Sequence, residues 1–130
     1  MFSLTHQIEK AFDIAANNPD ARIGVFCNWK HTKPVLDAVM REGAEGLFYA
    51  NLRSFVHSNG AVVKFFQVTS LDELYSQICG WQFSHVFVRE AVTYEAQSYI
   101  RSRLRSAKAE SFTEPMGYYD EFGVIRYEVY

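Results

Sequence analysis

The sequence predicts a single α/β domain over residues 1–130, a three-layer sandwich built around a mixed, mainly parallel sheet. Three observations predict this class. Apolar runs of strand length alternate with longer stretches in which apolar residues recur every three or four positions. One of these runs, Arg22–Cys27, is almost continuously apolar, which is typical of a strand covered on both faces. The pair Asn59-Gly60 lies between two runs of β-forming residues and predicts one β-hairpin.

Composition narrows the class of protein. The chain is 48% hydrophobic and 16% aromatic, which is too apolar for a disordered protein. No apolar run reaches the roughly 20 residues of a membrane helix, and the first residues lack the pattern of a secretory signal. We therefore expect a cytoplasmic protein with no membrane partner and with reduced thiols at Cys27 and Cys79. The formal net charge of −2 gives no overall basicity that would indicate nucleic-acid binding.

The first part of the chain predicts two helices around one strand. An apolar stripe with helical spacing covers residues 3–17 and ends at an Asn-Asn-Pro turn. The strand Arg22–Cys27 follows. A second helix is predicted to begin at Thr32, with Pro34 in its first turn, and to stop at Gly43.

The middle of the chain predicts the hairpin and a short helix. Leu47–Phe55 fits neither the helical nor the strand periodicity, so no element is predicted for it. Phe55–His57 and Ala61–Phe66 are the predicted hairpin strands. Leu71–Ile78 is predicted as a helix, because Ser70 can cap it and acidic residues occupy its first turn.

The last third predicts a buried strand that leads into a basic helix. His85–Val88 is apolar, and Arg89-Glu90 follows at its carboxyl end, where open α/β sheets place ligands. A helix with several arginines is predicted over residues 93–108, and Val124–Val129 alternates as a final strand.

Two groups of residues in this last third are candidate binding surfaces. Arg101, Arg105 and Lys108 share one face of the basic helix and can contact phosphates, although a solvated helix face explains them equally. The tail mixes aromatic residues with acids, a composition that favours protein contacts over nucleic acid, although part of it can simply close the sheet. The candidate partner-binding residues are Tyr118, Tyr119, Phe122 and Tyr130.

No metal or cofactor site is predicted. The four histidines lie on four different predicted elements and show no metal-binding spacing. His31 is the best candidate for a small polar pocket near Glu90, and the alternative is a solvated loop histidine.

The segment around the buried strand resembles a motif of a known family. Residues 80–91, GWQFSHVFVREA, are similar to the stretch that carries "rG…fd.v..DEa" in the ATPase core of phage terminase large subunits and related helicase-like P-loop motors. The order of predicted elements is also similar, over roughly residues 3–106. The resemblance implies a phage-encoded protein with a P-loop NTPase-like fold. The alternative is that Arg89-Glu90 is an ordinary strand-end pair on an unrelated α/β fold.

The chain departs from that family at the residues that carry catalysis. No GxxxxGK[ST] loop occurs, although this loop binds the phosphates of the nucleotide in the family. Arg89 occupies the position of the family's metal-binding Asp, and a cation there opposes Mg²⁺. Glu90 matches the carboxylate that activates water and would be catalytic only in an ATPase. The resemblance therefore implies a degenerate relative that lacks the P-loop.

These observations together predict a non-catalytic protein that binds a protein partner. The alternative is a nucleic-acid-binding module, related to DNA packaging or processing, that uses the basic helix over residues 93–108.

Overall fold

The computed structural model describes residues 4–67, 71–78, 80–88, 99–100, 103, 118–119 and 125–128. Three helices and seven strands are assigned in this part of the chain. In chain order they are α1 (Leu4–Asn17), β1 (Arg22–Cys27), α2 (Trp29–Arg41), β2 (Gly46–Tyr49), β3 (Ser54–His57), β4 (Val62–Gln67), α3 (Leu71–Ile78), β5 (His85–Val88), β6 (Tyr118–Tyr119) and β7 (Ile125–Glu128). A short 3₁₀ helix, Ala50–Leu52, connects β2 to β3. The α/β class predicted from the sequence is confirmed.

The strands form one mixed sheet in the order β2-β3-β4-β1-β5-β7-β6. Strand β1 is parallel to both of its neighbours, β4 and β5. The other four pairings are antiparallel. The prediction of a mainly parallel sheet is therefore wrong. The reason is that β2, β3 and β4 follow one another through short turns, and such turns join antiparallel strands, whereas parallel pairs need a longer crossover.

Helices α1 and α2 pack on one face of the sheet. Their buried residues, among them Ile8 and Leu36, form one core cluster with the residues of β1 and β4 that point the same way. Phe12 of α1 stacks on Phe55 of β3 with ring centroids 4.4 Å apart. Each fully buried side chain of this size stabilises the fold by about 1.5–3 kcal/mol.

The opposite face of the central strands is covered by aromatic side chains. Phe26, Phe66 and Phe83 are buried there and contact one another, with ring centroids 4.9–6.0 Å apart. Trp81 stacks on Phe83 and meets Phe66 edge-on. Both faces of β1 and β4 are therefore buried, as the continuous apolar run Arg22–Cys27 predicted.

The predicted hairpin is confirmed, but a strand was missed beside it. His57 donates its backbone N–H to the carbonyl of Ala61 at 2.8 Å, so the loop between them has three residues, and Gly60 has a φ of +102°. This geometry uses the left-handed conformation only at Gly60, whereas the tightest two-residue turn requires it twice. The ambiguous stretch Leu47–Phe55 contains most of β2, the 3₁₀ helix and the start of β3.

The N-cap of helix α2 lies four residues earlier than the predicted cap, Thr32. Asn28 is its N-cap residue, and the Thr32 hydroxyl donates to the Asn28 carbonyl at 2.8 Å inside the helix instead of capping it. Pro34 consequently lies within the helix. Because proline has no N–H, it leaves one carbonyl of the preceding turn without its helical partner.

Other predicted elements fall partly or wholly outside the described residues. Of the basic helix over residues 93–108, only Tyr99 and Ile100, which are helical, and Arg103 are described. The final strand is β7, which pairs antiparallel with β5.

Candidate functional site

Most site residues predicted from the sequence lie outside the described part of the chain. This holds for Arg89, Glu90, Arg101, Arg105, Lys108, Phe122 and Tyr130. Tyr118 and Tyr119 form β6, which is the last strand at one edge of the sheet. Those assignments stay predictions, and the described residues provide candidate surfaces of their own.

The carboxyl ends of the parallel strands β4, β1 and β5 meet at one edge of the sheet. Helix α2 follows β1 and packs on the face that carries the α1–α2 core. The chain after β4 continues on the opposite face, where Gln77 of α3 shares a cavity with Lys64 and Phe66. Adjacent strands that lead to opposite faces leave a crevice beyond their ends, and open α/β sheets bind ligands there.

A cavity of about 270 Å³ lies beside the carboxyl half of β4, next to the 3₁₀ helix. Its lining residues are Asn51, Leu52, Arg53, Lys64, Phe65, Phe66 and Gln77. This lining contains two cations and no carboxylate. We call the cavity, with Arg53 and Lys64, the cation pocket.

Lys64 is held on the aromatic face of the sheet. Its Nζ donates to the backbone carbonyl of Leu52 at 2.9 Å. The same nitrogen lies 5.7 Å from the ring centroid of Phe66 and 5.5 Å from that of Trp81. Burial, and secondly the positive charge of Arg53, lowers the pKa of Lys64 below its ordinary value. Both effects disfavour the ammonium form of Lys64. An anion in the pocket would act in the opposite direction, because its negative charge would offset the repulsion between the two cations.

Arg53 occupies a backbone conformation that its residue type seldom adopts. Its φ of +47° is the one positive value among the described residues other than glycine. Its N–H donates to the Ala50 carbonyl at 3.3 Å, and its carbonyl accepts from Phe65 at 2.9 Å, so the surrounding chain fixes the conformation. The guanidinium carbon lies 5.2 Å from the ring centroid of Trp29. Strained residues of this kind cluster at functional sites.

Trp29 connects the ends of two strands beside the pocket. Its backbone N–H, at the start of α2, donates to the Gln67 side chain at 2.8 Å. Its ring packs against Phe65 and Phe48 with centroids 5.6 and 6.0 Å apart. The ring that supports Arg53 is thereby fixed to the end of β4.

Sequence reasoning missed this pocket because its cations come from the ambiguous stretch and the hairpin. The sequence pointed instead to Arg89-Glu90, which follow β5, and β1 lies between β5 and β4 in the sheet. One signal was available, since Lys64 is the single charged residue in the apolar run Ala61–Phe66. A lone charge in a strand buried on both faces needs a specific environment.

A second cavity, of about 360 Å³, has the opposite charge. Its lining includes four carboxylates, Glu9, Asp13, Glu42 and Glu45, together with His57 and the stacked rings of Phe12 and Phe55. It lies near the start of β2 and the end of β3, away from the carboxyl ends of the parallel strands. The described part of the molecule is therefore basic in one cavity and acidic in the other.

The edge strand β2 exposes apolar side chains. Leu47 is 65% exposed and Tyr49 is 44% exposed, and both lie on the same face of the strand. Leu52, in the adjoining 3₁₀ helix, is 54% exposed and also lines the cation pocket. We call Leu47, Tyr49 and Leu52 the apolar edge.

The carboxylates and His57 of the second cavity are not arranged as a metal site. Within the described ranges, no three His, Cys, Asp or Glu side chains are placed to hold a metal ion. Cys27 is buried in the core, and Cys79 lies outside these ranges. His31 is exposed in the first turn of α2.

No protein-family model, curated protein or solved structure matches this chain.

Proposed function

We propose that this protein acts by binding a protein partner and catalyses no reaction by itself. The apolar edge carries the proposal. Among the described strands, β2 pairs with β3 alone, so its outer backbone N–H and C=O groups have no partner within this part of the sheet. Natural sheets protect such edges with charged residues, proline or a covering segment. Gly46–Tyr49 contains neither a charge nor a proline, and two of its side chains are largely exposed.

The partner suited to this surface is an extended segment that pairs with β2. Main-chain hydrogen bonds provide affinity in such complexes, and pockets for alternate side chains provide specificity. Apolar side chains of the added strand would cover Leu47 and Tyr49. Tyr118 and Tyr119, the partner residues predicted from the sequence, lie on β6, which is opposite β2 in the order of the described strands.

Substitutions on β2 test this function directly. The double variant Leu47→Lys, Tyr49→Lys places charge on the edge without changing buried residues, and Ala38→Lys, at an exposed position of α2, is the matched control. Partners captured from lysate of the native host should be retained by the control and lost by the double variant. If the double variant captures the same partner as the control, the contact lies elsewhere on the protein. Tyr118 and Tyr119 are then the next positions to substitute.

The relation to terminase-type ATPase cores is part of the same proposal. Its basis is the similarity of residues 80–91 to the family's motif. The protein would then be phage-encoded, would act in the host cytoplasm and would have lost ATP hydrolysis together with the P-loop. ATP hydrolysis by the purified protein that disappears in Glu90→Gln would overturn the non-catalytic assignment. In the described part of the chain, no helix has the length and apolarity needed to cross a membrane.

The alternative function is nucleic-acid binding by Arg101, Arg105 and Lys108. The observation in its favour is the local excess of basic residues in this part of the sequence. If all three side chains contact phosphates, DNA affinity should fall as the salt concentration rises. A plot of log affinity against log salt concentration should have a slope of about −3, since each contact contributes about −0.9. Alanine at all three positions should flatten that slope.

A further inference from the structure

We propose that the cation pocket binds the phosphoryl group of a small phosphorylated ligand. The pocket adjoins the apolar edge, because Leu52 belongs to both, but ligand binding in it does not depend on the strand pairing proposed for β2. The pocket lies between the carboxyl half of β4, the segment Asn51–Arg53 and α3, so three separate parts of the chain converge on it.

The hydrogen-bonding groups of the pocket are almost all donors. A guanidinium has five N–H donors and an ammonium has three, and neither group can accept. Lys64 uses one donor on the Leu52 carbonyl. Among the described residues, neither Arg53 nor Lys64 forms a salt bridge, and the lining contains no carboxylate. The complement of this arrangement is an anion with several acceptor oxygens.

The charge and size of the pocket favour a phosphate monoester over a carboxylate. Two cations face one cavity, and a phosphate monoester carries about −1.5 to −2 charges at pH 7, whereas a carboxylate carries one. The volume of about 270 Å³ is just below the roughly 300–1,000 Å³ typical of pockets for drug-sized ligands, so it suits a small molecule.

Aromatic rings hold the two cations at the pocket. Trp29 lies against Arg53, and Phe66 and Trp81 lie against Lys64. Arg22 also packs against the Trp81 ring, with its guanidinium carbon 4.3 Å from the ring centroid. The rings reduce contact with water, which strengthens the attraction between the cations and an anion. They also limit side-chain motion, so less conformational entropy is lost when the ligand binds.

The test is a titration of the full chain at low ionic strength, followed by tryptophan fluorescence and calorimetry. Trp29 and Trp81 are the two tryptophans of the sequence, and both contact the cations, so their emission reports on the pocket. The probes are inorganic phosphate, methyl phosphate, acetate and a short single-stranded oligonucleotide. The variants are Lys64→Met and Arg53→Met, and Arg41→Met is the control, because it removes an equal charge from an exposed position at the end of α2.

The original chain should bind phosphate and methyl phosphate saturably. The affinity should be at least tenfold lower in Lys64→Met and in Arg53→Met. In Arg41→Met it should stay within twofold of the original value. If Arg53→Met does not fold, Arg53→Lys replaces it, with a smaller loss expected because the charge remains. The proposal is overturned if the original chain shows no saturable phosphate binding, if the pocket variants bind equally well, or if acetate binds as tightly as phosphate. Much tighter binding of the oligonucleotide, lost in the same two variants, would instead assign the pocket to a nucleic-acid backbone.

Discussion

Gly24 lies at the point of closest approach between β1 and the aromatic face. A Cβ atom added there would lie 2.7 Å from the Cε1 atom of Phe83. Phe83 is fully buried, and its ring contacts those of Phe26, Phe66 and Trp81, so the ring has little room to move. The lack of a side chain at Gly24 is therefore what allows Phe83 to pack against the centre of the sheet.

Gly24→Ala should destabilise the fold by about 1–3 kcal/mol, the usual cost of an extra carbon in a packed core. The measurement is the free energy of unfolding by urea. Phe83→Leu provides the control, because the smaller side chain leaves room for the added methyl group. The alanine penalty should be smaller in that background, and an equal penalty in both backgrounds would show that the clash with Phe83 is not its cause.

The pKa of Lys64 predicts how stability changes with pH. Burial and Arg53 lower this pKa in the folded protein, so the native state releases the Lys64 proton at a lower pH than the unfolded chain does. Between the lowered value and the ordinary lysine pKa near 10.5, the unfolded state binds more protons, and the Lys64 contribution to stability rises with pH. The cations facing Lys64 are Arg53 and, across the Trp81 ring, Arg22. Neither loses its charge in this range.

Lys64→Met removes this titration. Relative to the variant, the original chain should therefore gain stability as the pH is raised from 8 toward 10.5, as measured by urea midpoints at several pH values. Arg41→Met should run parallel to the original chain. A difference between the original chain and Lys64→Met that stays constant over this range would show that the pKa of Lys64 is not lowered.

At the scale of elements, Asn59 connects the hairpin to a helix end. Its side-chain amide donates to the carbonyls of Ala15 and Ala16 at 2.9 and 3.3 Å, and its side-chain oxygen accepts from the N–H of Ala61 at 2.9 Å. The last carbonyls of a helix have no partner within the helix. Asn59 thus completes the C-terminal end of α1 and shapes the hairpin loop at the same time.

Asn59→Ala should cost about 1–3 kcal/mol of unfolding free energy, because it removes the acceptor of the partly buried Ala61 N–H and one of the two donors to the Ala15 carbonyl. Asn59→Asp keeps the acceptor for Ala61 but places a negative charge against the negative end of the α1 dipole. It should be at least as destabilising as alanine at neutral pH and less so below the carboxyl pKa. Aspartate tolerated as well as asparagine at neutral pH would contradict the role of the amide as a donor to α1.

The elements that could be predicted are those whose pattern is contained in their own sequence. The strand Arg22–Cys27 and helices α1 and α3 follow from local periodicity and have the predicted extents. Strand β2 has only four residues, and its pattern is set by pairing with β3 and not by its own sequence. The start of α2 depended on packing of Trp29 against Phe48 and Phe65, which are distant in the sequence. The cation pocket was unpredictable for the same reason, since Arg53 and Lys64 meet only after β3 and β4 have paired.

For the whole molecule, the sheet order predicts a gradient of local stability. Strand β1 has a partner on both sides and is buried on both faces, whereas β2 lies at an edge with exposed side chains. Backbone amides of Ile23–Phe26 and Val63–Phe66 should therefore show the slowest hydrogen exchange, and those of Gly46–Tyr49 a much faster one. Hydrogen exchange followed by mass spectrometry resolves these segments. Equal protection in β1 and β2 would indicate that a further contact covers the β2 edge in solution.

The central position of β1 also affects how the chain folds during synthesis. Strand β1 leaves the ribosome before its neighbour β5, and the contact between Arg22 and Ser84 joins residues 62 apart in the chain. At translation rates of about 5–20 residues per second, roughly 3–12 seconds pass before that partner is made. During this delay one side of an almost entirely apolar strand has no neighbour and can aggregate or bind a chaperone. A long-range pairing of this kind also slows refolding of the complete chain, because the loop must close before the contacts stabilise it.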